Sequence, residues 1–194
     1  MQLVEMEENK TEYLKESWIV DYNNLNIQKK ALKLSEGLDR VGRVKNIYEF
    51  VRDEVSHSLD IKGQTVTFRA SEVLKTGQGL CFAKSNLLAA MLRFIGVPTG
   101  FCYQRLTHEG GYVLHGLNAV FLEGKWHRLD ARGNREDVNA QFSVGEEKLA
   151  FPVSHKGEVD YPGIYSKPVE SVVNSFKGAV NVDEVMKKLL KARI

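Results

Sequence analysis

The run from Cys81 to Ile95, CFAKSNLLAAMLRFI, constrains this chain more than any other stretch of it. At helical spacing Phe82, Ala83, Leu87, Leu88, Ala90, Met91, Leu92, Phe94 and Ile95 leave almost no polar face, and such a helix has to be packed on more than one side. Both of its ends are marked. Gly77 and Gly79 precede it, Gly96 is suited to the left-handed stop, and Pro98 prevents continuation. With 194 residues, 43% of them hydrophobic, the chain is long enough to bury such a helix without disulfides or a structural metal.

The segments around it follow the two regular periods. Ile27, Ala31, Leu34 and Leu38 predict a helix over 27–38 with Asn24 or Asn26 as cap. Val41, Val44, Ile47, Tyr48, Val51 and Val55 predict a second, with Arg43, Lys45, Glu49 and Arg52 left to solvent. A short helical turn is expected over 71–75. Beyond Pro98 the pattern becomes that of strands over 100–106, 115–122 and 125–130, with Glu123-Gly124 as a tight hairpin turn. A further strand over 148–153, a surface loop over 157–167 and two helices over 169–176 and 182–191 complete the reading. Helices first and an antiparallel sheet second define an α+β chain. No repeat or linker divides it, so residues 1–194 are expected to form one domain with its core at about 40–135.

Composition excludes little, but it does exclude. Lys and Arg total 27 against 25 Asp and Glu, they alternate, and no dense basic run offers itself to nucleic acid. The longest apolar stretch is cut by Arg93, too early to span a bilayer. The opening MQLVEMEENK has neither a basic nor an apolar segment of the signal-peptide kind, and two cysteines make no disulfide framework. The expectation is a cytoplasmic protein with no metal and no cofactor.

Cys81 opens the central helix directly after the glycine-bearing turn. A helix N-terminus favours a thiolate, and its first N–H groups, those of Cys81 and Phe82, lack intrahelical partners and are free to face an oxyanion. The alternative is an inert buried cysteine, and the residues leave both readings open. Cys102 lies inside a predicted strand and reads as packing. A nucleophilic thiol needs an imidazole, and the imidazole needs a carboxylate. With Glu123-Gly124 as the turn, Leu122 faces Lys125 and Asp130 falls opposite Leu117. His115, two residues before Leu117, then shares a face with Asp130, a diagonal neighbour at roughly 7–8 Å. A bulge in the hairpin reverses that parity. His127 points to the other face, and His57, His108 and His155 read as structural.

The run TGQGLCFAKSNLLAAMLRFIGVPTGFCYQRL followed by LHGLNAVFLEGKWHRLDARGN resembles the core of the transglutaminase-like superfamily. Its pattern is a glycine-preceded Cys opening an apolar helix, an Ile-Gly-Val-Pro exit, a His in one strand and an Asp ending the next. The resemblance implies a papain-like α+β fold with the Cys helix packed on an antiparallel sheet. It also implies Cys81 as nucleophile, His115 as general base and Asp130 as orienting acid, acting on an amide through an acyl-enzyme. Gly-Leu-Cys-Phe stands where protein cross-linking members place Gln-Cys-Trp, and no calcium-loop pattern occurs, so a small peptidase or amidase is nearer than a glutamine cross-linker.

Gln78 is a further candidate oxyanion donor, and Arg132 and Asn134 are candidates for lining the cleft or gripping a substrate carboxylate, with turn capping as the plainer role. The expected partner is a peptide, protein or small amide. Two other functions compete. An acyltransferase of the arylamine N-acetyltransferase type uses the same Cys-His-Asp order, but Lys75-Thr76-Gly77 stands where that family has Arg-Gly-Gly. A binding module retaining the fold without turnover is the other.

Overall fold

The computed structural model describes all 194 residues. A short strand β1 (Val4–Glu5) and a 3-10 turn (Lys10–Leu14) lead into α1 (Leu25–Ser35), α2 (Arg40–Asp53), β2 (Ser56–His57), α3 (Ala70–Thr76) and β3 (Gln78–Gly79). Then come α4 (Cys81–Phe94), β4 (Thr99–His108), β5 (Gly111–Leu122), β6 (Lys125–Leu129), β7 (Val159–Asp160), β8 (Gly163–Ile164), α5 (Glu170–Phe176) and α6 (Val182–Leu189). The helices start where local chemistry lets them. Asn24 accepts from the Asn26 N–H at 3.0 Å to cap α1, and Asp39 accepts from the Gly42 N–H at 2.8 Å to cap α2.

α4 is surrounded. α1, α2 and α3 pack on it from one side and β4 and β5 from the other, and every residue from Cys81 to Arg93 is buried. Its few polar side chains are tied to backbone carbonyls of its neighbours. Lys84 Nζ donates to the carbonyls of Arg52 and Val55 at the end of α2, Asn86 donates to Phe68 at 2.7 Å, and the Arg93 guanidinium donates to Thr99, Ser166 and Lys15. Buried donors that find acceptors avoid the desolvation penalty of unpaired ones, so these three act as struts rather than flaws in an apolar helix.

The sheet is antiparallel in the order β6-β5-β4-β7. Glu123 and Gly124 both take positive φ, 50° and 83°, which makes the two-residue turn the kind that matches strand twist. Leu122 pairs with Lys125 and the register runs unbroken to Asn118 with Leu129, so the parity read from the sequence holds. Gly116 lies under the ring of Phe82, where a Cβ would come within 2.5 Å of the aromatic carbon.

Two expectations for the tail are corrected. No strand forms over 148–153, because the backbone there bonds elsewhere: the Lys148 carbonyl accepts from the Gln141 N–H, and the Ala150 N–H donates to the Asp130 side chain. The edge position beside β4 is taken instead by β7, pairing with Gln104 and Arg105. The predicted loop over 157–167 also carries β8, parallel to β1, and Ile164 is fully buried in a small cluster with Tyr13, Cys102 and Leu117. No helix is long and apolar enough to cross a membrane.

Gly116→Ala should lower stability by about 1–3 kcal/mol through overpacking against Phe82. Urea unfolding followed by circular dichroism reads this as a lower midpoint at unchanged slope.

Candidate active site

Cys81 is the first residue of α4. Leu80 before it is extended, with φ −68° and ψ 165°, and supplies no side-chain cap, so no side chain competes for the N–H groups of the first turn. The two glycines ahead of it have different reasons. Gly77 ends α3 in the left-handed conformation at φ 68°. Gly79 permits close packing of β3 on α4, since a Cβ there would lie 2.9 Å from Ala83 Cβ and 3.1 Å from Thr67 Oγ1. Cys81 is 8% exposed and lines a cleft of about 940 Å³.

His115 Nε2 is 2.8 Å from Asp130 Oδ2, and both side chains are buried. With Nε2 on Asp130, Nδ1 is the ring nitrogen left free of the carboxylate, and the Cys81 sulfur acts on the same imidazole electrostatically. Asp130 also accepts from two backbone donors, the Arg132 N–H at 3.1 Å and the Ala150 N–H at 3.0 Å. The Tyr48 hydroxyl holds the Asp130 carbonyl at 3.0 Å, and the Phe151 ring stands edge-on to His115 with centroids 5.2 Å apart. The charges balance through these contacts. Burial alone would push the imidazole down, but the Asp130 carboxylate and the Cys81 sulfur reverse it and hold His115 well above its ordinary range. Burial would raise Asp130, and His115 with the two backbone donors brings it below the usual carboxylate value instead.

The other predicted residues divide. Phe82 lines the cleft, its ring between Tyr103 and Phe176 at centroid distances of 6.3 and 6.1 Å. Arg132 lines it too, but its guanidinium is held by both oxygens of Asp60 at 2.6 and 2.7 Å and stacks 5.8 Å from the Phe151 ring, so it is not free to grip a substrate carboxylate. Asn134 stands outside the cleft, its Oδ1 accepting from the Ala140 N–H at 2.7 Å, a loop-closing role. Gln78 is also outside. Its Oε1 is buried against Gly63 without a partner. Cys102 is fully buried in the sheet, and burial pushes its thiol up to about 12.

Sequence reading missed several contributors. His57, His108 and His155, read as structural, all line the cleft; His127, paired opposite Val120, lies on the far face as expected. His57 is buried with Nδ1 unpartnered, and burial, followed by the charges of Arg132, Lys84 and His115, holds it well below the ordinary imidazole range. Lys84, in the first turn of α4, is lowered to about 7, first by burial and then by Arg132. A lone lysine inside an apolar helix is a visible signal. The position of His57 has none, because it depends on the pairing of β2 with β3. The far wall comes from the C-terminus, where Met186 and Leu189 of α6 face the cleft.

A family model described as the transglutaminase-like superfamily matches residues 28–131, more than half of the chain and the span holding Cys81, His115 and Asp130. The chain belongs to the transglutaminase-like superfamily. Over 108 residues it is 27% identical to the kyphoscoliosis peptidase of Mus musculus, covering 50% of this chain and 16% of that one. Over 131 residues it is 24% identical to the kyphoscoliosis peptidase of Homo sapiens, covering 61% and 20%. This transglutaminase-like chain thus spans a fifth or less of the length of those curated relatives. The solved structure of a candidate cysteine protease from Cytophaga hutchinsonii superposes with a TM-score of 0.55 at 19% identity, over 66% of this chain and 43% of that one, a likeness of fold.

The raised imidazole and the lowered carboxylate predict a pH signature. A raised His contributes stability that is complete below its unfolded value of 6.5 and is lost as pH rises through the folded one. A lowered Asp contributes stability present above its ordinary 3.8 and lost as pH falls. The stability gap between the wild type and His115→Gln should therefore be widest near about pH 5–6 and narrow as pH rises. Urea midpoints of both proteins across pH 4–9 measure it, and a flat gap contradicts the charged pair.

Proposed function

We propose that the chain is a cysteine-nucleophile acyl-transfer enzyme, acting as a peptidase or amidase on a peptide, protein or small amide. The observation that carries this reading is the buried pairing of His115 Nε2 with the Asp130 carboxylate in the same cleft as a thiol at the uncapped N-terminus of α4. In that arrangement Asp130 favours the imidazolium, and the N–H groups of the first turn of α4 are placed to meet an oxyanion.

The Cys81 thiolate adds to the amide carbonyl, and the carbonyl electrons become an oxyanion. As the oxyanion collapses, the C–N bond breaks and the leaving amine takes the proton from His115 Nδ1. A thioester on Cys81 remains. His115, now neutral, removes a proton from water as the water oxygen attacks the thioester. Collapse then releases the carboxylic acid and returns the thiolate–imidazolium pair. Water is the acceptor in this reading. A nucleophilic thiol operates reduced, and both cysteines are free, which supports a reducing compartment such as the cytoplasm.

The cleft indicates the substrate. Leu80, Leu106, Leu114, Phe151, Met186 and Leu189 form its apolar part, and its charged side chains are engaged elsewhere, Arg132 and Arg135 with Asp60 and Glu158 with the N–H groups of Thr107, Ser154 and His155. An uncharged, bulky apolar side chain on the acyl side is the occupant these walls desolvate at least cost.

Cys81→Ala should abolish turnover of peptide anilides, and Asp130→Asn should lower kcat by about 10²–10⁴ by releasing the histidine tautomer. Iodoacetamide at neutral pH should modify Cys81 well before the buried Cys102; equal, slow labelling of both removes the nucleophile from the reading. Anilides with Phe or Leu on the acyl side should exceed those with Asp in kcat/KM by roughly tenfold or more.

A further inference from the structure

Within the acyl-transfer reading, on which this inference rests, the least explained buried group in the cleft is His57. It lies in β2, and the parallel pairing that sets it opposite Gly79 also has the Ser58 N–H donating to the Gly79 carbonyl at 3.1 Å. Gly79 is two residues before the nucleophile, so the ladder that fixes the turn into α4 fixes His57 beside it. The ring is 6% exposed, lines the same cleft as Cys81 and His115, and makes no hydrogen bond to any protein group.

The unpartnered nitrogens also say which one carries the proton. Nδ1 is sealed from solvent with no acceptor near it. An N–H placed there would be an orphaned buried donor, whereas a lone pair there is the smaller penalty. The proton therefore belongs on Nε2, the ring nitrogen with access to the cleft. Its surroundings oppose a second proton: the ring is buried, and Arg132, Lys84 and His115 place positive charge around it. A neutral imidazole N–H fixed in the wall of a cleft is an effective hydrogen-bond donor to developing negative charge, because it needs no reorganisation and gives up no proton.

We propose that His57 is a catalytic residue whose Nε2–H, together with the backbone N–H of Cys81, stabilises the oxyanion formed when the Cys81 thiolate adds to the substrate carbonyl. This gives the site a side-chain donor where Gln78, the sequence candidate, is turned against Gly63. His57 neither activates the thiol nor takes a proton. It acts only in steps that put charge on the carbonyl oxygen.

That restriction makes the role separable from a structural one. Alkylation of Cys81 by iodoacetamide displaces iodide at a saturated carbon and forms no oxyanion, whereas acylation by p-nitrophenyl acetate forms one. The experiment compares both rates at pH 7 in wild type, His57→Phe, His57→Asn and His57→Gln. Phe fills the ring's place without a donor, Asn presents its amide only as far as Nδ1, and Gln reaches the position of Nε2. Acylation should fall about 10²–10³-fold in the Phe and Asn variants, with alkylation within about twofold of wild type, and Gln should recover at least about tenfold. Acylation within about threefold of wild type in the Phe or the Asn variant, a parallel fall of acylation and alkylation, or a Gln variant no faster than Asn overturns the assignment. A wild type without a nitrophenolate burst, or a burst that survives Cys81→Ala, overturns the acyl-transfer reading itself, and the assignment with it.

Discussion

Burial of α4 on all sides is the constraint from which the rest of the molecule follows. A helix without a polar face cannot lie on the surface, so three helices and the sheet are gathered around it. The same constraint decides where its N-terminus lies. A centrally packed helix has its first turn within the fold, and here that turn lines the cleft. Cys81 stands at that point. Lys84 ties the same turn to the carbonyls of Arg52 and Val55, so Cys81 is carried on a segment braced from two directions.

The second dependence is electrostatic. Asp130 is wholly buried and remains an acceptor because His115 Nε2 and two backbone N–H groups converge on it. One of those donors, Ala150, comes from the segment that sequence periodicity read as a strand. Had residues 148–153 joined the sheet, Ala150 would have spent its N–H on a ladder and the carboxylate would have lost a partner. The irregularity of that segment is thus part of how the histidine is held. Phe151, next along, supplies the aromatic edge against the imidazole and stacks under Arg132.

Legibility of this chain tracks the distance over which information acts. The ends of α4, the cap at Asn24 and the two-residue turn at Glu123-Gly124 are written in residues a few positions apart, and the structure has them in those places. His115 and Asp130 were found together because a hairpin converts local parity into a shared face. Where the sequence reading failed, the missing information was remote. β8 exists because a strand from the first five residues pairs with it, and Ile164 is buried because Tyr13 and Leu117 are there to cover it. Gln78 looked like a donor at the right spacing, but a neighbour at Gly63 took its side chain out of the cleft.

The sequence by itself determined the helix that opens at Cys81, the hairpin and the relation of imidazole to carboxylate, since each rests on a short-range period of 3.6 or 2 that a single chain segment enforces. Only the tertiary structure decided what surrounds them: His57 beside the turn into α4, Arg132 neutralised by Asp60, and Met186 and Leu189 as the far wall. Those positions come from packing between segments far apart in the chain, where the outcome depends on which surfaces bury each other best. No local pattern encodes that choice.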